Sequence, residues 1–429
     1  MTRSLAQRVL AGSGANAFGQ AITLGIQLFS LPLFLHYWDA TAYGVWLILS
    51  AIPSYLSMAD VGLVTTAGNK MTVAMGQKDS VQANRLFQSA LLFMLITCGS
   101  LAIVVIPAAL WLPVPGISAT PDDRVAVALL TGGVLLALFG GLAEAIFKAT
   151  GRYPIGTMFS NLVRVAEWGG AMLGLAWIGS FSAVAAGGLL ARGFGLIFIA
   201  AAAARGGQGI RWGVRDAKGA EVRAMAKPAL AFMLFPLSSA LSFQGVTLLI
   251  GHTLGPAAVA VFSAYRTLAR VAVQSTSVFS HALWPEFSRI YGAGGAAAVL
   301  LLYRRAVWLG ICFSFLTSFI LYLIAPILLK LWTNDAIPFE SLLMLVMVVY
   351  AAVGGAAHVP RIFLLATNKH SALALWSIAL SIMLLGLSTI TGKIWGTVGF
   401  GLAMLISEIA ILWFCFQKSK ALLLPQANN

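Results

Sequence analysis

The sequence predicts an all-α membrane protein of about twelve transmembrane helices in two six-helix bundles. Composition, the regular spacing of apolar runs and a one-sided distribution of basic residues all point there. Hydrophobic residues make up 60% of the chain and charged residues 9%, with a mean hydropathy of +0.91. A soluble domain carries about 25% charged residues because its surface must face water. A chain this poor in charge must have lipid as its main solvent. Each span takes roughly 20 apolar residues to cross a ~30 Å hydrocarbon core. Twelve spans of that size use most of the 429 residues.

The apolar runs are residues 12–36, 42–66, 86–112, 125–147, 155–178, 182–204, 228–251, 257–283, 305–329, 339–360, 371–391 and 395–416. Span 1 carries a neutral polar stripe, Asn16, Gln20, Thr23, Gln27 and Ser30. In lipid such groups either bond neighbouring helices or line a wet path. Span 2 holds Asp60, span 4 Glu144, span 5 Arg164 and Glu167, span 6 Arg192 and span 12 Glu408. Ionisable groups at membrane depth are costly and face a partner or a cavity. Asp60, Glu144, Arg164, Glu167 and Arg192 are therefore candidates for cation coupling or charge pairing. The Arg164/Glu167 and Glu144/Lys148 spacings favour local ion pairs on one helix. Pro32, Pro53 and Pro236 can bend spans 1, 2 and 7, either as hinges or as static kinks.

Span 8 is the most informative. Arg266, Arg270, Gln274, Ser277 and His281 recur at helical spacing on one face. No acid within span 8 sits at pairing distance from the two arginines. Unpaired guanidiniums in lipid suit an anion, and phosphate or pyrophosphate fits their bidentate fork. The alternative is pairing with an acid on another helix, such as Asp60.

Lys and Arg gather on one side of the membrane, in step with the alternation of the spans. One side collects residues such as Lys70, Lys78, Arg85, Lys148, Arg152 and Arg361; the other has only Arg124, Lys330 and Lys393. By the positive-inside rule both termini are cytoplasmic and the span number is even. The basic cytoplasmic segment 205–227, with Arg205, Arg211, Arg215, Lys218, Arg223 and Lys227, divides the chain into bundles 1–204 and 228–429. It reads either as a contact to anionic headgroups or as a plain tether. An internal repeat supports this division. ATGR at 149–152 faces ATNK at 366–369, Gly179 faces Gly396, and His36 and His252 end the first span of each half. Such parallel repeats are related by a pseudo-two-fold along the membrane normal, with substrate held between the halves near the midplane.

Several function classes drop out. The net charge of +14 is dispersed between apolar runs, not gathered on one domain, so no nucleic-acid partner is expected. Cys98, Cys312 and Cys415 lie inside apolar runs without metal spacing and read as small buried hydrophobes; no metal or cofactor is expected. Arg3 and Arg8 precede a run too long for a cleaved signal. No nucleophile–base–orienter set is present, which argues against an enzyme such as a membrane glycosyltransferase or polymerase.

Specific stretches now carry a resemblance. Tyr43-Gly44-Val45-Trp46, Asp60-Val61-Gly62-Leu63, Gly76-Gln77-Lys78-Asp79, Tyr265-Arg266 and Leu283-Trp284-Pro285-Glu286-Phe287-Ser288-Arg289 stand at characteristic places. The chain resembles the polysaccharide-export branch of the multidrug/oligosaccharidyl-lipid/polysaccharide (MOP) superfamily, which includes the O-antigen (Wzx-type) flippases. The resemblance implies two bundles forming a V around a central cavity lined by spans 1, 2, 7 and 8. It implies a bacterial inner-membrane flippase for polyprenyl-pyrophosphate-linked oligosaccharide, working among membrane lipid and other glycan-assembly proteins. Substrate contacts are then expected from Arg266, Arg270, Asn16, Gln20, Gln27 and Gln274. The alternative within the same fold is a drug/cation antiporter, which an acidic, aromatic cavity would favour.

Overall fold

The computed structural model describes residues 5–60, 62–111, 120–283, 286–287, 290–291, 296–367 and 371–427. The side chain of Asn16 lies outside the described set, as do Arg3, Val61, Trp284, Pro285, Ser288, Arg289 and Lys369.

In lipid every backbone polar group must be satisfied within the protein, so spanning segments become helices. Thirteen helices form among the described residues. In the first part of the chain they are α1 (Leu5–Tyr37), α2 (Ala40–Ser54), α3 (Leu63–Gly76), α4 (Ser80–Trp111), α5 (Pro121–Ala149), α6 (Tyr153–Trp177) and α7 (Phe181–Arg205). The remainder are α8 (Gly219–Ala240), α9 (Val246–Leu254), α10 (Pro256–Ala282), α11 (Ala296–Thr333), α12 (Ser341–Ala366) and α13 (Ser371–Ala427). Eight of the stretches are long and apolar enough to cross a membrane, and α2 with α3 makes a ninth as a bent pair. The polar faces of α6 and α10 keep them below that threshold, although each is of span length.

Two departures from straight helices matter. The 57 residues of α13 would reach about 86 Å at 1.5 Å per residue, far more than one crossing. Gly396, at φ 57° and ψ −136°, breaks it into two limbs. Counting those limbs separately gives ten such stretches, and α6 and α10, which are of span length, bring the total to the twelve expected from the sequence, among the described residues. The second departure is span 2. A 3₁₀ turn, Tyr55–Met58, follows α2, and Gly62 at φ 74° starts α3 after a bend of about 40°. Asp60 therefore belongs to a break and not to a continuous span. Its carboxylate accepts from the Gly62 N–H at 3.1 Å.

Contacts divide the chain into two compact units: Met1–Trp38 with Leu49–Pro236, and Asp39–Ile48 with Leu237–Asn429. In the first unit α6 and α7 approach closely through glycines. A Cβ on Gly187 would lie 2.1 Å from the Gly170 carbonyl oxygen, and one on Gly174 would lie 2.2 Å from that of Ala183. Small residues at helix contacts in lipid allow this dispersion-driven packing. At one end of the unit the Asp122 carboxylate accepts from the Phe181 N–H at 2.9 Å, and the Trp38 indole donates to the Gly179 carbonyl at 2.7 Å.

The basic segment after α7 is docked along α4. Asn84 Oδ1 accepts from the Arg211 N–H at 2.8 Å, and Asn84 Nδ2 donates to Asp216 at 2.8 Å. Gln88 accepts from the Asp216 N–H at 2.6 Å and donates to the Arg211 carbonyl at 3.2 Å. The Lys218 N–H reaches Ser89 Oγ at 2.9 Å, and Trp212 packs edge-on against Phe87. A free tether would leave those peptide groups to water. Here α4 satisfies them, so residues 206–218 form a strap belonging to the first unit. Another expectation fails at Cys312, which is exposed on α11, whereas Cys98 and Cys415 are buried.

Candidate functional site

Arg266 and Arg270 stand near the middle of the 27-residue α10. Gly255, at φ 86°, and Pro256 start that helix, the proline filling a position whose N–H has no helical partner. Arg266 Nη1 donates to the Phe243 carbonyl at 3.1 Å and Nη2 to Thr247 Oγ1 at 3.0 Å. Both guanidiniums face the Phe243 ring, at 5.3 Å for Arg266 and 5.0 Å for Arg270, and Arg266 also lies 5.8 Å from Phe262. Tyr350 lies within electrostatic reach of both. Neither arginine has an acidic partner among the described residues. Farther along the same helix the Gln274 side-chain oxygen is buried without a partner among the described residues, and His281 Nδ1 sits 2.8 Å from the Ser277 carbonyl.

The polar stripe of α1 splits into two roles. Thr23 Oγ1 accepts from Arg164 at 2.8 Å and Ser30 Oγ accepts from the Trp168 indole at 2.9 Å. Both bind α1 to α6, as does Asn161, whose amide donates to the Ala15 carbonyl at 3.2 Å. Gln20 and Gln27 take no hydrogen-bond partner among the described residues, and Gln20 is exposed.

Four of the five residues expected to couple or pair meet around one cavity of about 330 Å³ between α5, α6 and α7. Glu144, Arg164, Glu167 and Arg192 line it together with Ser160. The pairing differs from the expectation. Arg164 turns to Thr23, and Glu167 forms its ion pair with Arg192 across the α6–α7 contact. Lys148 donates to Asn69 at 2.7 Å, while Glu144 accepts from Thr157 at 3.3 Å and Ser160 at 3.2 Å. Close helix packing brings residues of different helices nearer than neighbours along one helix, and that overrides the i,i+3 and i,i+4 preference. Asp60 does not line this cavity.

The second unit contains a pair not foreseen. Arg361, assigned from sequence to a cytoplasmic connection, lies inside α12 and pairs with Glu408 of α13 at 3.5 Å. His358, one turn away, keeps a buried Nδ1 without a partner among the described residues. The signal that could have found Arg361 was its position: it falls 217 residues after Glu144, the offset of the repeat.

Two arginines share one aromatic ring, without a carboxylate partner among the described residues, and so concentrate positive charge at mid-helix. Two carboxylates and two arginines line the cavity between α5, α6 and α7, with the Glu167–Arg192 ion pair between them, so their formal charges balance.

No protein-family model matches the chain, and no curated protein matches it. Solved structures do. An inward-facing multidrug resistance MATE family transporter of the MOP superfamily superposes with a TM-score of 0.78 at 15% identity, covering 94% of this chain and 96% of that one. The fold is that of MOP-superfamily transporters. The lipid II flippase MurJ in an inward closed conformation gives a TM-score of 0.75 at 11% identity, over 96% of this chain and 87% of MurJ. A MOP superfamily transporter from Pyrococcus furiosus, in which reverse polarity of the binding pocket suggests a different function, gives 0.64 at 15% identity, over 99% of this chain and 95% of that one. Its apolar helices, arranged in this fold, make the chain a multi-pass membrane protein.

Proposed function

We propose that the chain is a flippase that moves a polyprenyl-pyrophosphate-linked oligosaccharide from the cytoplasmic to the outer leaflet of a bacterial inner membrane. The observation that carries this reading is the arginine pair of α10, which has no acidic partner among the described residues. A pyrophosphate loses its hydration when it leaves water, and that cost is large unless fixed opposite charges replace it. Two guanidiniums at mid-helix replace it with charge-assisted, bidentate hydrogen bonds. Gln20 and Gln27 of α1 offer amide donors and acceptors suited to sugar hydroxyls. The likeness to MurJ, a lipid II flippase, agrees with a lipid-linked cargo.

The second reading, a drug/cation antiporter, is favoured by Glu144, whose carboxylate lines the first-unit cavity with hydroxyls as its recorded partners. It is also favoured by the likeness to multidrug MATE transporters.

Replacing Arg270 with Ala is expected to abolish surface glycan while the protein still inserts, and Arg270→Lys to restore it partly, since Lys lacks the planar fork. Immunoblots of surface polysaccharide alongside membrane fractions read this. Full glycan display by the Ala variant, or efflux of cationic dyes by the wild type that depends on Glu144, would move the assignment to the antiporter.

A further inference from the structure

We propose that Phe243 is the positioning residue of the anion receptor, holding Arg266 and Arg270 side by side so that a pyrophosphate-class dianion meets both at once. This rests on the reading of α10 as the headgroup site. Two like charges four residues apart on one helix repel, and partial burial adds to the cost of keeping them there. A carboxylate between them would relieve the strain, but it would also cancel the charge that an anion needs.

Phe243 relieves it without adding charge. Its ring faces both guanidiniums, at 5.3 and 5.0 Å. The face of an aromatic ring is electronegative by its quadrupole alone. Its carbonyl meanwhile accepts from Arg266 Nη1 at 3.1 Å and from Thr247 Oγ1 at 2.9 Å. One residue thus presents a π face to both cations and a backbone carbonyl to Arg266, while the site keeps its full positive charge.

The local backbone explains how one residue does both. Phe243 is the middle residue of a single turn of π-helix, Leu241–Gly245, between α8 and α9. Such turns are rare and occur disproportionately at functional sites, because the extra residue rotates side chains and carbonyls out of the regular helical register. Without the ring, the two arginines would turn apart and would have to be reassembled when an anion binds, which lowers affinity.

The test uses the full-length protein in detergent, with inorganic pyrophosphate as the probe and calorimetry as the readout. The wild type is expected to bind and Arg270→Ala to lose binding. Phe243→Leu is expected to bind about tenfold more weakly, from the loss of two cation–π contacts. Phe243→Tyr and Phe243→Trp should bind within about twofold of the wild type, because the π face remains. A 4-cyano-phenylalanine at the same position keeps the shape but withdraws ring density, and should behave like Leu. Phe243→Met repeats the ring deletion in case Leu unfolds the protein, and melting curves without ligand identify any such loss of fold. Wild-type affinity in Leu, Met and 4-cyano variants, with binding still dependent on Arg270, overturns the role of Phe243 and leaves the headgroup site standing. Absence of pyrophosphate binding by the wild type, or binding indifferent to Arg270, overturns the site itself.

Discussion

Glu167 and Arg192 show how a charge survives at membrane depth: each is the other's counter-ion across the α6–α7 contact. Removing one partner leaves the other desolvated and unpaired, which costs more than the pair itself contributes. Glu167→Gln is expected to destabilise the protein by roughly 1.5–3 kcal/mol, the range for hydrogen bonds to charged groups. Adding Arg192→Met should recover part of that loss. Thermal melts of the single and double variants in detergent measure this, and additive losses would show that the two side chains act independently. At this scale the sequence marked which charges would need partners better than it marked the partners themselves. Arg164, Glu167 and Arg192 were legible because an ionisable group in an apolar run stands out. Their pairing was not, because it depends on which helices touch. Arg361 was missed for a related reason: an arginine a few residues from a helix end looks like a loop residue until that helix is seen to run on to Ala366.

Helices and connections differ in how much of them could be read. The apolar runs became helical because the bilayer permits little else, except that the run 42–66 is broken at the 3₁₀ turn and Gly62. The strap was not legible, since nothing in its glycines and arginines announces that Asn84, Gln88 and Ser89 will take its peptide groups. That docking makes a prediction. Arg211 and Arg215 are exposed cleavage sites for trypsin, but the backbone beside them is fastened to α4. In the wild type the segment is expected to resist brief trypsin treatment. The double variant Asn84→Ala/Gln88→Ala should be cut there many times faster, because it loses four of the bonds that hold the strap. Fragment masses near the middle of the chain report the result, and equal cleavage rates would mean that these four bonds do not hold the strap.

For the whole molecule, the order of basic residues predicts that both termini and the strap face the cytoplasm. Reporter fusions after residues 118, 215 and 335 test this, with outward signals expected at 118 and 335 and an inward signal at 215. An outward signal at 215 would overturn the orientation. The duplication also has a structural trace. Gly179 and Gly396, 217 residues apart, both adopt positive φ, at 78° and 57°, where one helix ends and the next begins. His36 and His252 both occupy the last turn of their helices. The sequence marked these positions because a sharp reversal needs glycine. It did not mark where the two units divide, since Asp39–Ile48 packs with the second unit although it precedes most of the first.

That exchange has a consequence for how the protein is made. Translation proceeds at about 5–20 residues per second, so once the strap has left the ribosome the rest of the chain takes on the order of 10 s or more. Throughout that interval the first unit can fasten its strap, since α4 and the strap already exist. Asp39–Ile48 cannot be completed. Gly44, which packs so tightly on the Pro256 backbone that a Cβ would lie 1.8 Å from its carbonyl oxygen, waits for α10 to arrive. The nascent first half therefore carries one segment reserved for a partner not yet synthesised, and that segment is packed only once α10 reaches it.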